Sequence, residues 1–350
     1  MKKIIIISLT IIIVLGLIIG GFFIYYQRTK NLSSSSSVSK SEKKTRIVYF
    51  TFIINVHDFV NLEDSKNTIE RAISIYDKYN VTGEFYLTST MWEKFKENYP
   101  EVIELLKNKA TVSYHIRPPH PVYIGFETPL KGLSQDQLIN KLKEYETHSL
   151  DLESGGYQEK EGGYALMKKD LGYAPIAGGI LSSDQNIQEA EVDVLKEMGL
   201  KMIVIHKDGS LSEKGAKKYD LWIRPADFEI LEDASGNAWW NTEANPVELF
   251  GDKINNLGNE EYFGVSLIHD DNFYRKNNPF RYIYYEKGQN DHPKLPPYDL
   301  SEGNKGTKER DIETQDSIWS RYEQLVKAVS QDPQVKVVTS KEIVGILKHY

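Results

Sequence analysis

Two histidines, His115 and His120, lie close together in the segment VSYHIRPPHP, and their side chains suit metal chemistry. A short apolar run before His115 predicts a strand, and two consecutive prolines stiffen the turn that presents His120. Two neutral imidazoles held near each other are a usual beginning of a divalent metal site. Asp58, which follows another apolar run, offers a third ligand. Two imidazoles and one carboxylate would leave coordination positions for water and substrate.

The elements that must position these residues alternate between strand-like and helix-like patterns. Strands are predicted at 47–56, 83–87, 110–114, 201–206, 263–268 and 335–338. Helices are predicted at 64–79, 134–152, 189–198 and 313–330, with two more beginning at the caps Asn245 and Thr339. Repeated βα units imply a parallel sheet, open or closed into a barrel. Because barrel active sites lie at the carboxyl ends of strands, Asp58, His115 and His269 are expected to meet at one face.

Each candidate also has a plainer interpretation. A single histidine is more often structural than a ligand, and an aspartate after a strand is more often a helix cap or turn former. Glu84 interrupts an apolar strand, where a carboxylate is costly unless it is paired. Arg117 or Arg224 could pair with it, and a structural role is favoured.

The amino terminus is predicted to anchor the chain in a membrane. The uncharged, apolar run 4–27 follows two lysines and is long enough to span a bilayer. A cleaved signal peptide is the alternative, but its apolar core would be shorter and a small-residue cleavage site would follow. Residues 28–45 are rich in serine and lysine and predict a flexible linker, and residues 46–350 predict one large domain. We therefore expect a single-pass cell-membrane protein whose catalytic domain is extracytoplasmic.

Composition excludes several classes of function. The chain has 43 basic and 50 acidic residues, and the first 45 residues hold seven of the bases and one of the acids. The large domain is therefore acidic, which argues against a nucleic-acid partner. The chain has no cysteine, so disulfides, thiolate metal sites and a cysteine nucleophile are excluded.

These motifs together resemble the polysaccharide deacetylases of the NodB-homology type, carbohydrate esterase family 4. His57-Asp58 ends a strand where the family has two acids, and His115…His120-Pro121 resembles its second motif, with one extra intervening residue. The segment VSLIHD, which ends in His269 and Asp270, resembles the family's last motif. The resemblance implies a distorted (β/α) barrel, here preceded by one transmembrane helix.

The resemblance also implies roles for individual residues. It makes Asp58, His115 and His120 the metal ligands, His57 the base and His269 the acid. Asp270 would orient His269 or cap a loop, and the backbone N–H of Ile176 would bind the oxyanion. Tyr173 stands where the family has an arginine, and His57 stands where it has an aspartate. A neutral histidine base needs no cationic partner; alternatively, Arg117 supplies the positive charge from a new place.

The implied activity is hydrolysis of N- or O-acyl groups on surface glycans. The ion would be divalent, most plausibly zinc, with cobalt, nickel or manganese as alternatives. Two other functions stay open: a glycan-binding relative that has lost catalysis, and a metal-free hydrolase of another non-peptide C–N bond. Aromatic residues of the segment 271–312 could stack on sugar rings, or they could belong to a partly ordered flap.

Overall fold

The computed structural model describes residues 46–179, 182–204, 213–289 and 292–350, and the main element of the fold is one curled sheet. Its twelve strands, β1 to β12, are Ile47–Val56, Glu84–Leu87, Thr111–His115, His148–Leu150, Tyr157–Glu161, Ala177–Gly179, Met202–Val204, Lys217–Lys218, Leu221–Ile223, Phe228–Glu229, Glu261–His269 and Val335–Val337. Ten of them form the order β10-β11-β1-β2-β3-β6-β7-β9-β8, with β12 also paired to β1. All pairs in this sheet are parallel except β8–β9, so it is a mixed sheet curled into an incomplete barrel. Strands β4 and β5 form a separate antiparallel pair.

Helices pack around this sheet and join its parallel strands. The ten α-helices, α1 to α10, are Leu62–Lys78, Ser89–Asn98, Pro100–Lys109, Gln135–Thr147, Gly163–Leu171, Gln185–Met198, Pro246–Asn255, Phe280–Tyr284, Ile312–Gln331 and Ser340–Leu347. The capping boxes predicted at Ser134 and Thr339 and the cap predicted at Asn245 are confirmed. One predicted helix end is wrong, because the chain leaves α4 at Thr147 and enters β4, so the helix does not continue to residue 152.

Register brings the carboxyl ends of three strands to one place. Asn55 of β1 is opposite His269 of β11 and opposite Tyr86 of β2. His115 ends β3 one pair beyond Tyr114, which is itself opposite Leu87. The residues that follow β1, β3 and β11 therefore share one edge of the sheet, as the sequence predicts.

The long segment after β11, residues 271–312, packs against the rest of the domain. Three short 3₁₀ helices and α8 lie within it. Four of its aromatic residues form a small core of their own with Phe126, namely Phe280, Tyr284, Tyr285 and Tyr298. Trp239 and Trp240 are likewise buried, in the main core. Stacking of these rings on sugars is therefore not supported, because their faces are packed against other side chains.

The predicted membrane location needs correction. No helix in the described ranges is both long and apolar enough to cross a bilayer, and a single-pass location is not retained. The predicted anchor 4–27 and linker 28–45 lie outside the described residues.

Candidate active site

His57 and Asp58 leave β1 in an extended turn that is fixed by buried hydrogen bonds. Asp270 accepts the backbone N–H of His57 through Oδ1 and that of Asp58 through Oδ2, each at 3.3 Å. Ser65 Oγ donates to Asp270 Oδ2 at 2.6 Å. Asp270 thus holds the strand end in place. The sequence predicts two alternative roles for Asp270, and these contacts are those of a loop-capping residue.

Arg117 lies between two histidines and donates to both. Its Nε donates to His57 Nδ1 at 2.8 Å, and its Nη2 donates to His269 Nε2 at 2.8 Å. The two imidazole rings are nearly parallel, with centroids 4.7 Å apart. Nη1 donates to Tyr123 Oη at 3.2 Å, and no carboxylate of the described residues lies within 4.0 Å of this guanidinium. Since arginine can only donate, both ring nitrogens that face it are deprotonated acceptors.

Asp271 lies on the far side of the His57 ring. Its Oδ1 is 3.3 Å from His57 Nε2, and the carboxamide of Asn278 lies 3.2 Å from the same nitrogen. Because Arg117 occupies Nδ1, the proton of neutral His57 is on Nε2 and points to Asp271. A carboxylate behind a histidine fixes its tautomer and stabilises the imidazolium when the ring takes up a proton.

The electrostatics of the centre follow from burial and from Arg117. Burial, then the charge of Arg117, lowers the pKa of His57 well below its usual value. Burial, then His57 and Arg117, lowers the pKa of His269 in the same way. Burial also raises the pKa of both Asp270 and Asp271, and the neighbouring carboxylate adds to the rise at Asp270. At neutral pH the two rings are therefore uncharged and able to accept a proton.

A narrow cleft opens over His57 and Arg117. It is also lined by His115 at the end of β3, by His120 in the turn that follows, and by Phe280 of α8. The cleft has room for about one water molecule in this state, so a substrate must displace side chains to enter.

The metal ligands predicted from the sequence are only partly brought together. His115 and His120 line the same cleft, but Asp58 does not. The ring centroids of His115 and His57 are 6.2 Å apart. Asp58 Oδ1 accepts the backbone N–H groups of Val60 and Asn61, and Oδ2 accepts from the Asn61 amide and Tyr274. A carboxylate with four donors on its two oxygens has little capacity left for an ion. Burial nevertheless raises the pKa of Asp58 to about 6.

Three other described residues lie close enough together to hold a metal ion. His57, Asp270 and Asp271 each offer one ligand atom, and these atoms all lie within 4.8 Å of one another. Asp271 Oδ2 is buried and has no hydrogen-bond partner among the described residues, so one oxygen is available to a cation. One nitrogen and two carboxylate oxygens suit a divalent ion such as zinc or manganese, but His57 Nε2 can be a ligand only after the ring proton moves to Nδ1 and Arg117 releases that nitrogen. Asp58, His115 and His120 do not form such a group, and their assignment as ligands stays a prediction.

His120 faces the buried Glu146, which interacts with a second buried glutamate, Glu191. Its Nδ1 accepts the backbone N–H of Val122 at 3.3 Å, and its Nε2 lies 3.2 Å from Glu146 Oε1. Tyr114 donates to the same carboxylate at 3.0 Å. Burial, then the charge of Glu146, raises the pKa of Glu191 well above its usual value. Glu191 therefore keeps its proton at pH values at which an ordinary glutamate has lost it.

Three other predicted residues lie away from the cleft. Tyr173 and Ile176 precede β6, whose carboxyl end is the one beside His115, so they lie at the opposite edge of the sheet. Ile176 accepts backbone N–H groups from Lys201 and Met202 through its carbonyl oxygen. Glu84 accepts from Ser113 Oγ at 2.5 Å and from the backbone N–H of Ser340 at 2.8 Å. Its partners are these, not Arg117 or Arg224, in keeping with a structural role.

Sequence reasoning missed Asp271 and Asn278. A second acid directly after the strand-end pair His269-Asp270 was a usable signal for Asp271, because residues just past the carboxyl ends of parallel strands lie at the candidate site. Asn278 carries no such signal, since it is one of many polar residues in a long irregular segment.

No family model matches the chain, and no curated protein matches it in sequence. The chain is similar in structure to polysaccharide deacetylases. The peptidoglycan deacetylase PdaC from Bacillus subtilis aligns with a TM-score of 0.39 and 11% identity, over 88% of this chain and 94% of that one.

Two further similar structures have other functions. The allantoinase Puue aligns with a TM-score of 0.48 and 8% identity, over 89% of this chain and 93% of that one. The 4-alpha-glucanotransferase from Thermococcus litoralis aligns with a TM-score of 0.44 and 11% identity over 86% of this chain, which spans 40% of that protein. At these TM-scores the likeness alone establishes neither an activity nor a set of site residues for this chain.

Proposed function

We propose that the chain is a hydrolase that removes N- or O-acyl groups from a glycan. The observation that carries the proposal is the pair of uncharged imidazoles, His57 and His269, joined through Arg117 at the carboxyl edge of the sheet. Two acceptor rings beside one fixed cation can move a proton and stabilise an oxyanion at the same place.

The steps follow from the positions of these groups. His57 takes a proton from a water molecule, and Asp271 stabilises the imidazolium that forms. The hydroxyl oxygen adds to the acyl carbon, and the N–H groups of Arg117 stabilise the tetrahedral oxyanion. The C–N or C–O bond then breaks, His269 Nε2 takes over the proton that His57 removed from water, and His269 passes it to the departing amine or alcohol. The products are a carboxylic acid and the free amino or hydroxyl group.

A divalent ion, if bound, would be held by His57, Asp270 and Asp271. Such an ion lowers the pKa of a bound water and polarises a carbonyl group. His57 Nε2 faces both carboxylates, at 3.3 Å from Asp271 and 3.8 Å from Asp270, so an ion held there would replace the proton on Nε2.

A binding protein of the same fold is the second candidate, and one observation favours it. Arg117 holds both lone pairs that would accept a proton, so the base is covered in this state. A ligand oxygen must take over these N–H groups before His57 can act.

Acetate release by the full-length chain tests the proposal. We expect release from N-acetylated or O-acetylated oligosaccharides, and a loss of about 100-fold or more in His57→Gln, because a general base contributes roughly 10² to 10⁴ in rate. His349→Gln is the matched control, since this histidine is exposed near the chain end and should leave the rate unchanged.

Two results decide against catalysis by these residues. A wild-type rate in His57→Gln would remove the base assigned here. Binding of the oligosaccharide without any acetate release, by the wild type and by His57→Asp, would instead support the binding protein.

A further inference from the structure

A small cavity lies inside the curled sheet, separate from the cleft that contains Arg117. Its apolar wall includes Ile53 and Leu267, which are direct partners across β1 and β11. Its polar lining includes Asn55, Tyr86 and Arg224. Gly179 leaves the space open, because a Cβ at this position would come within 3.2 Å of His115 Nδ1.

Arg224 is a buried cation that forms no ion pair with the described residues. The residue is 7% exposed, and its Nε is buried without a hydrogen-bond partner in the described part of the chain. Glu229 is near enough to interact electrostatically, but no described carboxylate oxygen lies within 4.0 Å of the guanidinium. A guanidinium stays charged at every physiological pH, and an unpaired buried charge is strongly unfavourable. Among the described residues only the more distant Glu229 offsets this charge, so an anion in the cavity would stabilise it.

Asn55 is the second polar residue of the cavity that can donate an N–H group. It is 4% exposed and lies on β1, whereas Arg224 directly follows β9. Both residues line the same space, so a ligand there can accept from a guanidinium and from an amide.

We infer that this cavity binds a small monovalent anion, of the size of chloride or formate. Two donors from a guanidinium and an amide suit an anion, and a single positive charge suits a single negative one. The cavity has room for about one water-sized particle, which excludes sulfate, phosphate and larger carboxylates. The site is independent of the proposed hydrolysis, although His115 lines both the cavity and the cleft.

Thermal unfolding of the full-length chain tests the inference. Chloride and formate are each titrated against gluconate, an anion too large for the cavity, at constant ionic strength. A ligand that binds the native state raises Tm in a saturable manner. We expect this rise with chloride, formate or both, with at least a tenfold weaker apparent affinity in Arg224→Gln and a smaller loss in Asn55→Ala. Arg71→Gln removes an exposed charge as the matched control and should bind as the wild type does.

A direct measurement covers the case in which Arg224→Gln does not fold. Bromide soaked into crystals of the wild type should give an anomalous peak beside the Arg224 guanidinium. An equal Tm rise in gluconate, or a cavity without bromide at saturating concentration, would overturn the inference. None of these measurements depends on acetate release, so a failure here is distinct from a failure of the proposed function.

Discussion

Replacing Glu191 by glutamine should make the protein progressively more stable than the wild type as the pH rises from 5 to 7. Glu191 is fully buried on α6, and neither of its oxygens accepts a hydrogen bond from the described residues. Its neighbour Glu146 accepts from Tyr114 Oη at 3.0 Å and from the backbone N–H of Tyr164 at 3.2 Å. A protonated Glu191 that donates to Glu146 satisfies this arrangement, and a glutamine amide can donate in the same way.

The sign of the effect follows from the direction of the pKa shift. Burial first, and Glu146 second, raise the pKa of Glu191 in the folded state. The folded protein therefore keeps a proton that the unfolded chain releases above its ordinary pKa of about 4.3. The stability that this proton provides is complete below that value, and it is lost as the pH rises toward the folded pKa. Each pH unit in this window reduces the free energy of unfolding of the wild type by about 1.4 kcal/mol, and the glutamine variant lacks this loss.

Urea unfolding at pH 5, 6 and 7 measures the difference. The gap between Glu191→Gln and the wild type should widen in favour of the variant by roughly 1 to 1.4 kcal/mol per pH unit. Glu189→Gln, on the same helix but exposed, should follow the wild type at every pH. A constant gap, or a variant that becomes relatively weaker toward pH 7, would show that Glu191 is ionised in the folded protein and that the reasoning is wrong.

Two further predictions concern packing and metal content. Gly264→Ala should lower the free energy of unfolding by about 1 to 3 kcal/mol, because the new Cβ would lie 2.4 Å from Phe228 Cζ. Gly251→Ala has open space around it on a helix and should leave the stability unchanged or raise it by up to about 1 kcal/mol. Denaturant unfolding of both variants measures these changes. Metal analysis after dialysis against zinc should find a bound ion in Asp58→Asn and none in Asp271→Asn, and the reverse result would restore the ligand set predicted from the sequence.

The order of strands and helices could be predicted because long apolar runs and capping residues act locally. Strand β1 matches its predicted bounds, and α9 differs from its prediction by one residue at each end. The edge of the sheet that contains His57, His115 and His269 could also be predicted, since parallel strands deliver their carboxyl ends to the same edge.

The contacts within the site could not be predicted, because they depend on side-chain directions set by tertiary packing. Asp58 and Asp270 are both strand-end acids, yet Asp58 accepts from Asn61 and Tyr274, whereas Asp270 fixes the backbone at the end of β1. The long segment after β11 has no periodicity, so neither its small aromatic core nor the position of Asn278 had a local signal.

The contact of Arg117 with His57 and His269 has a consequence for the order of events in the cleft. One guanidinium covers both lone pairs, and it cannot be switched off by deprotonation. An arriving oxygen with partial or full negative charge competes for the same N–H groups, and by drawing them away it uncovers both rings together. Molecules without such an oxygen leave the two histidines masked, so arrival of a suitable ligand and exposure of the base become a single event.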